Sequence, residues 1–124
     1  MEQVLIDVRG TALALRQFAA ERDWEQFHSP KNLVMALSGE VGELTEIFQW
    51  MTEAESHNAA TALKTKDAVK EELADVAMYL IRIADVLGID LNAAIAKKLQ
   101  INAAKYPVEK SRGVSTKYDQ LNKP

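Results

Sequence analysis

The sequence predicts an all-α fold, a four-helix bundle. Two observations carry this: apolar residues recur at intervals of three and four along nearly the whole chain, and the alternation of β-branched residues expected of strands is almost absent. Only five glycines and three prolines interrupt 124 residues, so the periodic segments are long. That length fits one domain with one core, which the sequence places over residues 1–107, with a polar tail over 108–124.

Taken in order, a first helix is predicted from Glu2 to Arg22, with Val4, Leu5, Val8, Ala12, Leu15 and Phe18 on one face. The connector from Trp24 to His28 carries three rings. Ser29-Pro30 then reads as an N-cap followed by proline at the first helical position, opening a second helix to about Met51. Thr52 to Thr65 is polar and is predicted to be the longest loop, a flap with at most one helical turn. A third helix spans Lys66 to Leu87 and stops at Gly88, a favourable C′ residue. Asp90 caps a fourth, from Leu91 to Lys105, which ends before Pro107 because proline cannot continue it. Beyond that point no periodic apolar face remains, and an extended or partly ordered tail is expected.

Composition excludes several classes. Hydrophobic residues make up 48% of the chain, enough for a helical core, yet no run reaches the roughly 18 apolar residues of a membrane span. With no cysteine, neither disulfides nor thiolate metal sites are available. The first residues lack the apolar centre of a secretory signal, and a cytoplasmic protein is expected. A net charge of −3 gives no electrostatic footprint for duplex nucleic acid.

The chemistry concentrates in two pairs of acids. With Leu33 at zero on a helical wheel, Leu37, Val41, Leu44, Phe48 and Met51 fall between ~0° and ~80°. Glu40 lies at ~340° and Glu43 at ~280°, one inside the apolar sector and one at its edge, whereas Glu46 at ~220° faces solvent. On the third helix, with Val69 at zero, Glu72 lies at ~300°, Tyr79 at ~280° and Asp75 at ~240°, flanking the stripe, while Glu71 at ~200° points away. Acids at helical spacing commonly form a solvated face. Two pairs on consecutive helices, both leaning into the apolar stripe, instead point to convergence on a cation. Like charges near 4 Å repel by about 1 kcal/mol in water and by more in a drier site. Oxygen ligands without cysteine or histidine favour Mg²⁺ or Mn²⁺.

On the fourth helix Lys98 and Asn102 fall at ~300° and ~340° relative to Ile95, at the edge of its stripe. Buried polar groups need partners, in the core or in a ligand. Trp24 and Trp50 flank the second helix, so a bundle could bring both rings to one end, where a flat ring could stack. His28 suits a phosphate or a loop cap; His57, in the polar segment, is expected to be exposed.

The order Phe18-Ala-Ala-Glu-Arg-Asp-Trp-Glu-Gln-Phe-His28, Gly39-Glu-Val-Gly-Glu-Leu44, Phe48-Gln-Trp50, Glu71-Glu-Leu-Ala-Asp75, Ile101-Asn102 and Lys105-Tyr-Pro107 resembles the all-α nucleoside triphosphate pyrophosphatases of the MazG-like superfamily, and within them the dCTP pyrophosphatase group. The resemblance spans Phe18 to Pro107 and extends weakly to Tyr118. It implies hydrolysis of a deoxynucleoside triphosphate, dCTP or a relative, between the α- and β-phosphates, as house-cleaning of the nucleotide pool. It implies Mg²⁺ held by Glu40, Glu43, Glu72 and Asp75, with Glu43 or Glu40 activating water. Trp24, His28, Trp50, Tyr79, Lys98 and Asn102 match positions that contact nucleotide, Lys98 meeting phosphate, and Arg112 and Lys117 in the tail extend that set. The resemblance also implies a homo-oligomer, a tetramer built from dimers, or a dimer. The segment from Thr52 to Thr65 matches no motif of the group. A catalytically silent bundle that binds nucleotide or a protein is the alternative. A di-iron bundle would need Glu-x-x-His pairs, which these helices lack.

Overall fold

The structure, a computed structural model, describes residues 3–121; the predicted helical start at Glu2 and the final residues of the tail fall outside them. Among the described residues every regular element is helical, as the periodicity predicts. The chain divides into two compact units, one of residues 8–89 and one formed by the residues before Val8 together with those from Asp90 onward.

The first unit contains α1 (Arg9–Glu21), a 3₁₀ turn (Glu25–Phe27), α2 (Pro30–Phe48), a short α3 (Glu53–Ser56) and α4 (Lys66–Val86). Both α1 and α2 pack on α4. Ala12, Ala19, Leu33, Val69, Ile81 and Ala84 supply the buried side chains between them. A bidentate ion pair ties α1 to α4: Arg16 donates to both Asp85 oxygens, at 2.7 and 2.6 Å.

Local chemistry sets the ends of these helices. The α1 chain reverses at Asp23, which takes φ of +54°, while Trp24 N–H donates to Ala19 O and Asp23 N–H to Ala20 O. Those two bonds define a Schellman stop, and they deliver Trp24 to the side of the unit. Ser29 Oγ accepts the Asn32 N–H at 3.2 Å, capping α2 as its sequence predicts, although α2 ends at Phe48 rather than Met51. The expected flap is a run of turns opened by a capping box of Thr52 and Glu55. It is anchored by Ala59, 3% exposed, whose carbonyl accepts from Thr65 Oγ1 at 2.6 Å. A second Schellman stop closes α4, with Ile89 N–H donating to Ala84 O, Gly88 N–H to Asp85 O, and φ of +68° at Gly88.

The second unit holds α5 (Leu91–Lys105), α6 (Val108–Ser111) and α7 (Tyr118–Leu121). Asp90 caps α5 by accepting the Ala93 N–H at 3.0 Å, and the helix stops before Tyr106-Pro107 as predicted. The Asn92 side chain accepts from the N–H groups of Leu5 and Ile6, at 2.7 and 3.0 Å, and donates to Gln3 O. Those bonds draw the first residues out of the helix predicted for them, so α1 begins only at Arg9. The tail is partly ordered, with two short helical turns. Tyr106 and Tyr118 meet edge to face at 6.3 Å, with Lys105 Nζ 4.6 Å from the Tyr118 ring.

Candidate active site

Glu40 and Glu43 sit three residues apart on α2, and Glu72 and Asp75 three apart on α4, so each pair shares a helix face. The packing of α2 against α4 brings the pairs together. Glu40, Glu43 and Glu72 each offer a carboxylate oxygen within 4.8 Å of the others. Asp75 stands outside that trio but lines the adjoining cavity with Glu40. Glu46 and Glu71 are exposed, as their wheel positions predict.

The electrostatics of this cluster are those of converging carboxylates. One oxygen of Glu40 and one of Glu72 are buried without a hydrogen-bond partner, which is costly for a charged group. The Glu40 carboxyl is pushed up to about 7, first by its hydrogen bonds with Glu72 and Glu43, then by burial and the charges of Glu43 and Asp75. Glu72 is held down by its hydrogen bond with Glu40, yet burial and the charges of Glu43 and Asp75 raise it overall. The proton affinity of both carboxyls is thus raised by their convergence. Converging carboxylates with orphaned buried oxygens fit a hard divalent cation.

Beside the cluster opens a cavity of about 170 Å³. Leu15, Phe18, Trp24, Met78 and Tyr79 give it apolar and aromatic walls, Glu40 and Asp75 line it from the acidic side, and His28 and Arg82 add nitrogen donors. The Trp24 ring stands edge-on to Phe18 at 5.7 Å. Arg82 is only 8% exposed. Its Nε donates to His28 Nδ1 at 3.2 Å, and its Nη1 lies 3.5 Å from Asp85. Burial, then the charge of Arg82, lowers the His28 pKa against a smaller opposing pull from Glu25. Because Nδ1 accepts from Arg82, the ring N–H lies on Nε2.

Trp24, His28 and Tyr79 thus meet at one cavity, but other expected site residues do not join them. Trp50 follows the end of α2, is 89% exposed and does not line the cavity. Lys98 and Asn102 lie on α5 in the other unit; both are exposed rather than at a buried edge, because α5 buries no residue in this chain. Arg82 is the residue that sequence reasoning missed. It falls at ~220° on the α4 wheel, beside Asp75, so the spacing from Asp75 through Tyr79 was the available signal.

Helices that pair Glu-x-x-Glu with Glu-x-x-Asp beside an aromatic cavity define a class of all-α proteins with a carboxylate cation site. The MazG-like family model matches residues 35–121. This chain belongs to the MazG-like family. It is 50% identical over 105 residues to dCTP pyrophosphatase 1 of Rattus norvegicus and 48% identical to that of Homo sapiens, covering 85% of this chain and 62% of each relative. The chain therefore spans about 62% of the length of these curated relatives. Among solved structures, a pyrophosphatase from Archaeoglobus fulgidus superposes with a TM-score of 0.75 at 36% identity, covering 86% of this chain and 98% of that one.

Proposed function

We propose that this protein is a Mg²⁺-dependent pyrophosphohydrolase that cleaves a deoxynucleoside triphosphate, dCTP or a close relative, to the monophosphate and pyrophosphate. The observation that carries the reading is the pair of buried, unpartnered carboxylate oxygens on Glu40 and Glu72, in a trio of acids of which Glu40 also lines a cavity walled by aromatic rings. Similarity to dCTP pyrophosphatases supports the substrate class.

In this reading Glu40, Glu43, Glu72 and Asp75 hold the cation. Once bound, Mg²⁺ neutralises the triphosphate and makes a coordinated water more acidic. Glu43, the exposed member of the trio, would orient the attacking water and accept its proton, with Glu40 beside it. Oxygen attack on the α-phosphorus breaks the bond to the bridging α–β oxygen, and pyrophosphate leaves. Trp24 and Tyr79 flank the base and sugar, since stacking on such rings is worth about 1–3 kcal/mol per base. His28 belongs to the same pocket. Trp50, Lys98 and Asn102 complete the nucleotide site in an oligomer, a homotetramer or a dimer, with Lys98 meeting phosphate.

Separation of products by anion exchange, after incubation with each dNTP and NTP in Mg²⁺ or EDTA, tests this. Metal-dependent release of monophosphate and pyrophosphate is expected, lost roughly 100-fold or more in Glu72→Gln, which cannot stabilise the metal-bound transition state. Diphosphate with orthophosphate, or turnover in EDTA, would overturn it.

A further inference from the structure

The cavity holds a charge relay that metal binding does not require. Arg16 grips both oxygens of Asp85, Asp85 faces Arg82, and Arg82 donates to His28 Nδ1. The relay crosses from exposed α1, where the Arg16 side chain is 58% exposed, to the cavity wall, where that of Arg82 is 10% exposed. A buried cation costs stability unless it is paired and hydrogen-bonded. Here it is fixed from two sides.

The guanidinium carries five N–H donors in a rigid fork. His28 and Asp85 engage two of them, which leaves donors on a residue lining the cavity. His28 is locked by the same bond, because accepting at Nδ1 leaves Nε2 as a donor. That end of the cavity therefore offers donors and little else. Arg82 stands seven residues along α4 from Asp75, roughly 10 Å at the helical rise, so the donor end is removed from the carboxylates by about the reach of a base and its sugar.

We propose that Arg82 is the specificity-determining residue of the pocket, with Asp85 and Arg16 as positioning residues, and that with His28 it selects a base presenting two adjacent acceptors, as cytosine does with N3 and O2. The inference rests on the nucleotide reading above. Thymine and uracil present an N3–H between their carbonyls, so at the Arg82 end of the pocket a donor would meet a donor.

The test is the ratio of kcat/KM for dCTP to that for dTTP, in Mg²⁺, for the full chain and for Arg82→Met, Asp85→Asn and Arg16→Gln. Arg82→Met is expected to collapse the ratio roughly 10- to 100-fold, the discrimination that one bidentate base contact supplies. The loss should fall mainly on KM for dCTP, with pyrophosphate still the product. Asp85→Asn and Arg16→Gln, which loosen the fork without removing it, should reduce the ratio less. An unchanged ratio in folded Arg82→Met overturns the role. Should that variant not fold, Arg16→Gln decides, since its site is largely solvated and an unchanged ratio there overturns the relay. Full chain that hydrolyses dCTP and dTTP equally well also sinks the role of Arg82 alone, whereas full chain that releases pyrophosphate from no nucleotide overturns the nucleotide reading itself.

Discussion

His28 shows how one residue couples the fold to the site. Its ring accepts from Arg82 and is partly buried, so protonation would place a second positive charge against the guanidinium. The folded pKa therefore lies below the unfolded value of about 6.5, and the stability this gives is fully present above that pH and is lost as pH falls through the depressed pKa. Glu40 slopes the other way: with its pKa raised to about 7, the metal-free protein loses stability as pH climbs from the ordinary carboxylate range through 7. Urea unfolding of wild type and His28→Gln between pH 5 and 8 separates the two, because the Glu40 contribution cancels in the difference. Gln can accept from Arg82 without titrating, so the wild type should lose stability relative to it as pH falls below about 6.5; parallel curves would remove His28 from the account. Legibility at this scale followed range. The convergence of Glu40, Glu43 and Glu72 was readable because the spacing on each long helix sets which acids share a face. Arg82 was not, because its meaning comes from His28, 54 residues away, and from Arg16 across α1.

At the scale of elements, boundaries were readable wherever a residue's own chemistry marks them. Ser29-Pro30, Gly88, Asp90 and Tyr106-Pro107 each fix a helix end where the sequence predicts it. The start of α1 was not readable. Val4, Leu5 and Val8 continue the helical spacing, and only Asn92, 87 residues from Leu5, diverts the backbone. The capping box of Thr52 and Glu55 carries the usual three-residue signature, but the polar composition around it obscured the turn. Glycines allow a test with opposite signs. A Cβ at Gly88 would meet nothing within 4 Å, yet φ is +68°, so Gly88→Ala should destabilise by about 1 kcal/mol through the backbone alone. Gly10 stands in the first turn of α1, also with open space around a Cβ, so Gly10→Ala should stabilise by roughly 0.5 kcal/mol. Urea midpoints of the two variants should move in opposite directions, and a shared direction would mean that some contact, not backbone conformation, governs both.

For the whole molecule, the described residues bury little apolar area and leave large apolar side chains exposed. The buried hydrophobic residues are Ala12, Ala19, Leu33, Ala59, Val69, Ile81 and Ala84, and alanine contributes little apolar area. Meanwhile Trp50 is 89% exposed, Leu63 87%, Met35 64% and Leu13 61%, and a trough between α2 and α4 exposes Val41, Leu44, Phe48 and Leu73. A large exposed apolar patch can serve as an interface, and a folded state that depended on one would gain stability with protomer concentration. The expected outcome is a homo-oligomer by sedimentation velocity, with a urea midpoint that rises as protein concentration is raised 100-fold. Phe48→Glu places a charge in the trough without touching the carboxylate trio, so it should shift the population toward monomer and lower the midpoint at fixed concentration. A monomer whose midpoint ignores concentration would mean that the thin core suffices, and that Trp50 serves neither an interface nor a site completed by a second copy. If association and hydrolysis fall together in Phe48→Glu while a carboxylate variant such as Glu72→Gln loses only hydrolysis, then the nucleotide site is assembled by the oligomer and Trp50 is part of what the second copy brings.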